Sequence, residues 1–547
     1  MPASFNLITR PWIPAMPKKA RSPIKVGLEQ LLVESHDYSG IYGSTPLEVA
    51  AIYRLLLAVL HSAWNVTDTE WQTIWRQGHF ERSVVEDYLK KWLPRFDLFD
   101  ARRPFYQDAA LDREPESVSS LMAHIASGAD ATLFSHNTRI NSIVLKSDEA
   151  ARSLIAIQAF GLCGTKGKGT SFADAPCARG VVFYVEGSTL FDTLMFNLFD
   201  RDLPENRLKR RADDRPSWEQ DDPFAGDPRR PYGLLDHLTW HNRRIRLIPE
   251  AGESSENLVR QMMYAPGLKT SDAKGQSVRD VFNPFHYWRA NPKKTKSPDD
   301  EAGRSHSPIY FDQDRALWRD STVLMRLSTD GGDEQNKPPS ALNWMRDLAN
   351  AGVLSWSNTY RCVAFGASTE PGQDKTFFYR AEALPLPLCY LDPNNTEWIE
   401  KLEGALALAK QTESLLHRAT LTLARLILNP KLTNEALKSD PRKEERERVQ
   451  PLSTSWGTER YFWSGLELHF YRLVQDLPVN SPAALKAWRA QLRRAARAAF
   501  KQAEDYAGAD RRAQRAIVRA RDEFDFGLRR ILTEPNEADS TNGGENQ

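Results

Sequence analysis

Beyond Leu384-Pro385-Leu386-Pro387 the chain stops alternating between strand and helix signals and reads as helix only. That change constrains the fold more than any motif does, because it splits the 547 residues into a mixed part and an all-helical part. Thr396 caps a long helix in which Trp398, Leu402, Ala405, Ala409, Leu416, Ala419 and Leu423 follow helical spacing. The charged stretch 429–452 reads as a connection to a second helix, 458–477. Ser481-Pro482 opens a third, and Gly508-Ala509-Asp510 separates it from a fourth that ends near Leu532. Helices of this length predict an up-and-down four-helix bundle over 393–532. The polar tail 533–547 predicts disorder.

The first part, 1–387, mixes both periods. Residues 5–8 read as a short strand ended by Arg10-Pro11-Trp12-Ile13-Pro14. Thr45-Pro46-Leu47-Glu48 is a capping box with proline at the first helical position. Its helix, reaching about Trp64, is apolar on most faces and predicts burial. A helix over 151–160, a strand over 180–185 and an apolar helix over 189–199 follow. The stretch 205–222, dense in mixed charge around Trp218, reads as an exposed connection. Arg244-Ile245-Arg246-Leu247 alternates as a half-buried strand does. Residues 361–365 and 376–380 form a hairpin, and Pro371-Gly372 is a turn signal that projects Gln373 at its tip. The fold class expected is α+β: a large mixed α/β N-terminal domain followed by the bundle.

Function is carried by a few stretches. Residues 160–172 read FGLCGTKGKGTSF, with Gly161, Gly164, Gly167 and Gly169 around Thr165, Lys166 and Lys168. Glycine lets a ligand approach the main chain, and lysines favour a polyanion. A P-loop is excluded by counting: it needs glycine at 162 and Ser or Thr at 169, where the chain has Leu162 and Gly169. The two readings left are a loop against nucleic acid and a plain surface loop. Phe134, beside Ser135, His136 and Asn137, suits either base stacking or a core anchor for its loop.

Arg489, Arg493, Arg497 and Lys501 lie four apart and line one helix face, and Arg511, Arg515 and Arg519 do the same on the next helix. From Lys486 to Arg530 there are thirteen Lys/Arg against six Asp/Glu, inside a chain whose net charge is only +1. A solvated face explains one such stripe. Two on adjacent helices favour a nucleic-acid track.

Other classes are disfavoured. His237 and His241 are four apart, but Leu238 breaks the H-E-x-x-H pattern. The four cysteines form no C-x-x-C pair, which argues against structural zinc and for a reduced compartment. The first residues lack the apolar core of a signal peptide, and the longest apolar run, 55–60, is too short to span a bilayer. The expectation is a cytoplasmic protein with no membrane partner. No acid, base, nucleophile or metal set converges, so neither catalysis nor a cofactor or metal is expected. The alternative is a nuclease or nucleotide-dependent enzyme acting on DNA or RNA.

Read in order, Asn6-Leu7-Ile8, Trp12-Ile13-Pro14, Arg103-Pro104-Phe105, Pro216-Ser217-Trp218, Leu238-Thr239-Trp240 and Glu459-Arg460-Tyr461-Phe462 give the chain a family likeness. It resembles the large subunit of the type I-E CRISPR surveillance complex Cascade, the CasA family, over almost its whole length. The resemblance implies an N-terminal α/β domain of unusual topology and a C-terminal four-helix bundle. It also implies that Gly164–Lys166 and the following Gly167, Lys168 and Gly169 meet the minor groove of the protospacer-adjacent motif. A finger lysine, Lys269 or preferably Lys274, would join them, and Gln373 would wedge the duplex open. The loop starting at Phe134 would meet the guide RNA and neighbouring subunits. The bundle would face the displaced strand and the small subunits, and the chain would help recruit the helicase-nuclease. Lys166 and Lys168 stand where the family is richer in glycine, Asp374 follows the wedge position, and 250–257 holds no cysteine.

Overall fold

The structure, a computed structural model, describes residues 3–122, 143–166, 170–203, 208–252, 257–270, 282–290, 306–325, 327, 336–369, 376–439 and 442–533. The polar tail, from 534 onward, lies outside them. The chain forms two compact units, Met1–Leu317 with Leu327–Pro393, and Trp318–Arg326 with Asn394–Gln547.

At the centre of the first unit lies the helix Pro46–Ala63. Its start is set locally: Thr45 Oγ1 accepts from the Glu48 amide at 3.3 Å, while the Glu48 carboxylate accepts from the Ser44 amide at 2.9 Å. Apolar residues surround it, so it buries nearly its whole length rather than one stripe. By length and composition it could cross a bilayer, yet most of it is inside the protein. It packs against the helices Ser147–Phe160 and Leu234–Leu238 and against the hairpin Thr359–Thr369 with Thr376–Pro387.

Among the described residues of this unit, three antiparallel sheets have three or more strands. Ile13–Pro17 pairs with Ile24–Val26 on one side and Tyr38–Ile41 on the other. Asn257–Pro266 pairs with Arg243–Ala251 along its length, and with the short strands Glu116–Ser117 and Leu145–Lys146. The long hairpin takes Val182–Glu186 as a third strand, from Arg361 opposite Glu186 to Phe365 opposite Val182. Thr189 caps the helix Leu190–Asn197, its hydroxyl accepting from the Asp192 amide at 3.0 Å. The α+β class expected from the pattern is the class observed.

Several local expectations are corrected. Residues 7–9 form a turn rather than a strand, because the Asn6 side chain accepts from the Ile8 amide at 3.1 Å and competes with strand pairing. The 205–222 stretch is exposed only in part over its described residues. Trp218 is buried and gives its indole N–H to Tyr88 at 2.8 Å, and Asp214 is buried against Arg201 at 3.0 Å. Leu384–Pro387, where the mixed pattern was read to stop, closes the strand Thr376–Pro387, with Leu384 and Leu386 in the core.

The second unit is a helix bundle. Its walls are Glu397–Leu428, the broken pair Thr458–Ser464 and Glu467–Asp476, Ser481–Ala507, and Arg511–Leu532. Trp488 crosses between walls, donating its indole N–H to the Ala405 carbonyl at 2.9 Å. Phe500 stacks on Phe524 with ring centres 4.7 Å apart. At Gly527 a side chain would stand 2.7 Å from Leu415 Cδ1, so glycine permits the last helix to lie close on the first. The 458–477 helix is interrupted at Gly465, and the 429–452 connection holds two helices, Asn434–Lys438 and Lys443–Ser455. Arg425 organises this region by donating to the carbonyls of Ala436, Leu437 and Ser439 and to Glu445. Trp318, which precedes the bundle by some distance in sequence, stacks inside it on Phe470 at 4.6 Å.

Candidate nucleic-acid interface

The glycine stretch leaves the end of a helix. Ser147–Phe160 stops at Gly161, and a two-stranded hairpin follows, Gly164–Lys166 paired with Thr170–Phe172. A strand would have to precede a P-loop, so the observed helix agrees with the exclusion made by counting. Gly167, Lys168 and Gly169 lie outside the described residues, as do Phe134, Ser135, His136, Asn137, Lys274 and Gln373. Lys269, the other finger candidate, is described; its amide donates to Asp227 Oδ1 at 2.8 Å.

The base of this hairpin is tied in two ways. On one side Asp174 accepts from the Cys163 amide at 2.7 Å and from Arg179 Nε at 3.1 Å, and Arg179 reaches Cys163 Sγ at 3.3 Å. On the other, Arg243 donates to the Leu162 carbonyl at 2.7 Å and to the Ala173 carbonyl at 2.8 Å. Phe172 stacks on Tyr264 at 5.1 Å, which seats the hairpin on the strand Asn257–Pro266. Sequence reading missed Arg243, Asp174 and Tyr264. Arg243 stands 81 positions from Leu162, and nothing in its local pattern marks it.

The long hairpin is more regular than its sequence suggested. Its strands pair from Thr359 opposite Pro387 to Thr369 opposite Thr376, with an irregularity between Ser368 and Thr369. Gln373 falls among residues 370–375, outside the described residues, which stand in sequence between these two long paired strands.

The basic stripes of the bundle are not uniform. Arg497 pairs with Asp525 at 3.1 Å, Lys501 with Asp505 at 2.7 Å, and Arg493 donates to the Leu532 carbonyl at 3.4 Å. Arg519 holds the Leu432 carbonyl at 2.8 Å, and Arg489 also has a contact within the protein. Arg511 and Arg515 differ: both are exposed, and neither side chain makes a hydrogen bond or ion pair with a described residue. Among the described residues the stripes thus combine ties within and between helices with the open side chains of Arg511 and Arg515.

His237 and His241 both lie in the core. Burial, helped by Arg229 and Arg95, pushes His241 down to about 3, and burial with Arg54 pushes His237 well below the ordinary histidine range. Both are neutral core residues rather than surface groups.

These features define a class: an α+β unit bearing a small glycine-lysine hairpin, joined in one chain to a helix bundle with basic faces. The profile described as CRISPR-associated protein Cse1 matches residues 6–499. The CRISPR-associated protein CasA/Cse1 of Thermus thermophilus is 31% identical over 532 residues, covering 95% of this chain and 96% of that one. The crystal structure of Cse1 from Acidimicrobium ferrooxidans is similar in fold, with a TM-score of 0.80 at 22% identity, covering 97% of this chain and 99% of that one. A chain of a CRISPR RNA-guided surveillance complex gives a TM-score of 0.70 at 21% identity, covering 96% of this chain and 100% of that one. The chain belongs to the CRISPR-associated Cse1 family, also called CasA.

Proposed function

We propose that this protein is the non-catalytic large subunit of a type I-E CRISPR-guided DNA surveillance complex. It reads the protospacer-adjacent motif of target duplex DNA through the minor groove, starts strand separation for the R-loop, and helps recruit the helicase-nuclease. The observation that carries this reading is the family match over residues 6–499, supported by the fold shared with a chain of a surveillance complex. In this reading the complex's backbone, small and guide-handle-binding subunits, its guide RNA and the target duplex are the partners, and no cofactor is needed. Residues 1–387 hold the motif and guide contacts, and 393–532 the bundle.

The roles divide by chemistry. The minor groove separates little beyond A·T from G·C, so a glycine loop there accepts several related motifs. Gly164, Gly167 and Gly169 let backbone reach base edges, while Lys166, Lys168 and Lys274 add charge near phosphates. Gln373 wedges between base pairs, where unstacking must be offset. Phe134, Ser135, His136 and Asn137 meet the guide RNA or a neighbouring subunit.

The test is a binding series across motif variants with the assembled complex. Gly167→Asp places a side chain and a negative charge at the contact surface and is expected to abolish motif-dependent binding while melts stay unchanged. Gln373→Ala is expected to slow opening of a fully paired duplex without affecting assembly. Wild-type motif binding by Gly167→Asp would remove the loop from the reading.

The stripes make a separate, quantitative expectation. Arg511 and Arg515, being open, are the best placed to meet phosphates, whereas Arg497 and Lys501 already have carboxylate partners. Changing both Arg511 and Arg515 to Gln should flatten the log–log salt dependence of target binding, each lost contact lowering the slope by about 0.7 to 0.9. An unchanged slope would show that these cations are solvated or serve a protein partner.

A further inference from the structure

We infer that Arg243 is the positioning residue of the glycine hairpin; the inference rests on the hairpin being the motif reader. Arg243 opens the strand Arg243–Ala251 and is only 2% exposed. Its guanidinium spans the mouth of the hairpin. One terminal nitrogen donates to the Leu162 carbonyl at 2.7 Å, just before Gly164–Lys166, and the other to the Ala173 carbonyl at 2.8 Å, just after Thr170–Phe172. Nε donates to the Tyr264 hydroxyl at 2.8 Å, and the cation lies 4.8 Å from the centre of the Phe172 ring. The two legs of the hairpin and the sheet beneath it therefore share one planar group.

The surroundings hold that group in place. Gln158 accepts from the Arg243 amide at 2.8 Å and donates to its carbonyl at 2.9 Å, so the backbone is locked to the helix that leads into the hairpin. At Gly161 a Cβ would stand 2.9 Å from the Arg243 terminal nitrogen and 2.7 Å from the Ile157 carbonyl oxygen. Glycine there leaves the guanidinium its path to Leu162. Its described hydrogen bonds go to carbonyl, amide and hydroxyl oxygens, so its fixed fork, more than its charge, organises the site. A hairpin pre-ordered in this way has less backbone freedom to lose when it meets a duplex.

Lysine retains the charge and loses the fork, which separates geometry from field. Arg243→Lys and the milder Tyr264→Phe are compared with wild type and with Gly167→Asp. Trypsin cleavage after Lys166 and thermal melts are read on the purified chain. Affinity for motif-bearing and motif-lacking duplexes is read on the assembled complex. Arg243→Lys is expected to speed cleavage after Lys166 and to weaken motif-bearing duplex binding about tenfold, the loss expected when one or two residues of backbone must be ordered on binding. Binding to motif-lacking duplex should stay within about twofold, because phosphate contacts are untouched. Tyr264→Phe should move the same two readouts in the same direction by less, and it decides the matter if Arg243→Lys does not fold. Wild-type cleavage after Lys166 in every folded variant overturns the inference. So does wild-type motif binding in those variants when Gly167→Asp abolishes it. If Gly167→Asp itself binds as wild type, the motif-reader assignment falls, and with it the role of Arg243 in recognition. Its role in ordering the hairpin then stands or falls by the cleavage rate.

Discussion

Arg152→Met is expected to destabilise the first unit by about 3 to 5 kcal/mol, the cost of leaving the buried Glu48 carboxylate without this cation and Asp148 with Lys25 alone. Arg152 is 4% exposed and reaches three partners. It donates to the Trp12 carbonyl at 2.6 Å and to Asp148 at 2.8 Å, and its Nε stands 3.4 Å from Glu48, the residue that closes the cap of the central helix. Lys25, on the first sheet, joins Asp148 at 2.6 Å. Burial alone would raise the Asp148 carboxyl, but Lys25 and Arg152 outweigh it and hold its pKa below the usual carboxylate range. A pKa lowered on folding contributes stability that is present above the unfolded value and lost as pH falls through the folded one. The gap between wild type and Arg152→Met should therefore narrow as pH falls from about 7 into the ordinary carboxylate range, where Asp148 takes up its proton in the variant before it does so in wild type. Urea midpoints at constant m-value measure it. Replacing Arg152, Asp148 and Glu48 together by apolar residues should recover much of the loss, because no buried charge is then stranded. A single-variant cost under about 1 kcal/mol would mean that water reaches the network.

The second large effect is expected at Trp318, whose change to Ala should cost the bundle about 3 to 5 kcal/mol in lost burial and cavity formation. Trp318 is 1% exposed, stacks on Phe470 at 4.6 Å and meets the edge of Trp463 at 5.6 Å. Its neighbour Arg319 lies 3.7 Å from the centre of the Trp463 ring and 3.8 Å from Glu413, which also accepts the Trp463 indole N–H at 2.9 Å. Hydrogen exchange on the full chain should show loss of protection concentrated in Glu467–Asp476 and Ser481–Ala507, with Pro46–Ala63 unaffected. Uniform loss across both units, or none, would contradict the packing described.

How much of this was legible in advance depends on the range of the forces involved. The bundle helices, the capped helix at Pro46 and the strands of the Thr359–Pro387 hairpin follow from periodicity, caps and turn residues, all of which act within a few positions. The glycine-lysine stretch reads locally as a loop, whereas its described parts, Gly164–Lys166 and Thr170–Phe172, pair as the strands of a hairpin. The turn at 7–9 and the break at Gly465 were missed because a short polar side chain or one glycine can outcompete a weak pattern.

The parts that hold the candidate site were not legible at all. Arg243 reads in sequence as one more residue beside an alternating strand, yet it closes a hairpin 81 positions away. Arg152 reads as a polar position on an amphipathic helix, yet its carbonyl partner Trp12 is 140 positions earlier. Trp318 reads as part of the first domain and packs in the second unit. Local pattern decided which residues form helices and strands, because propensity and periodicity act over one or two turns of chain. Which buried cation met which carbonyl, and where an aromatic from one half of the chain came to rest in the other, was decided only when loop closure brought distant segments together.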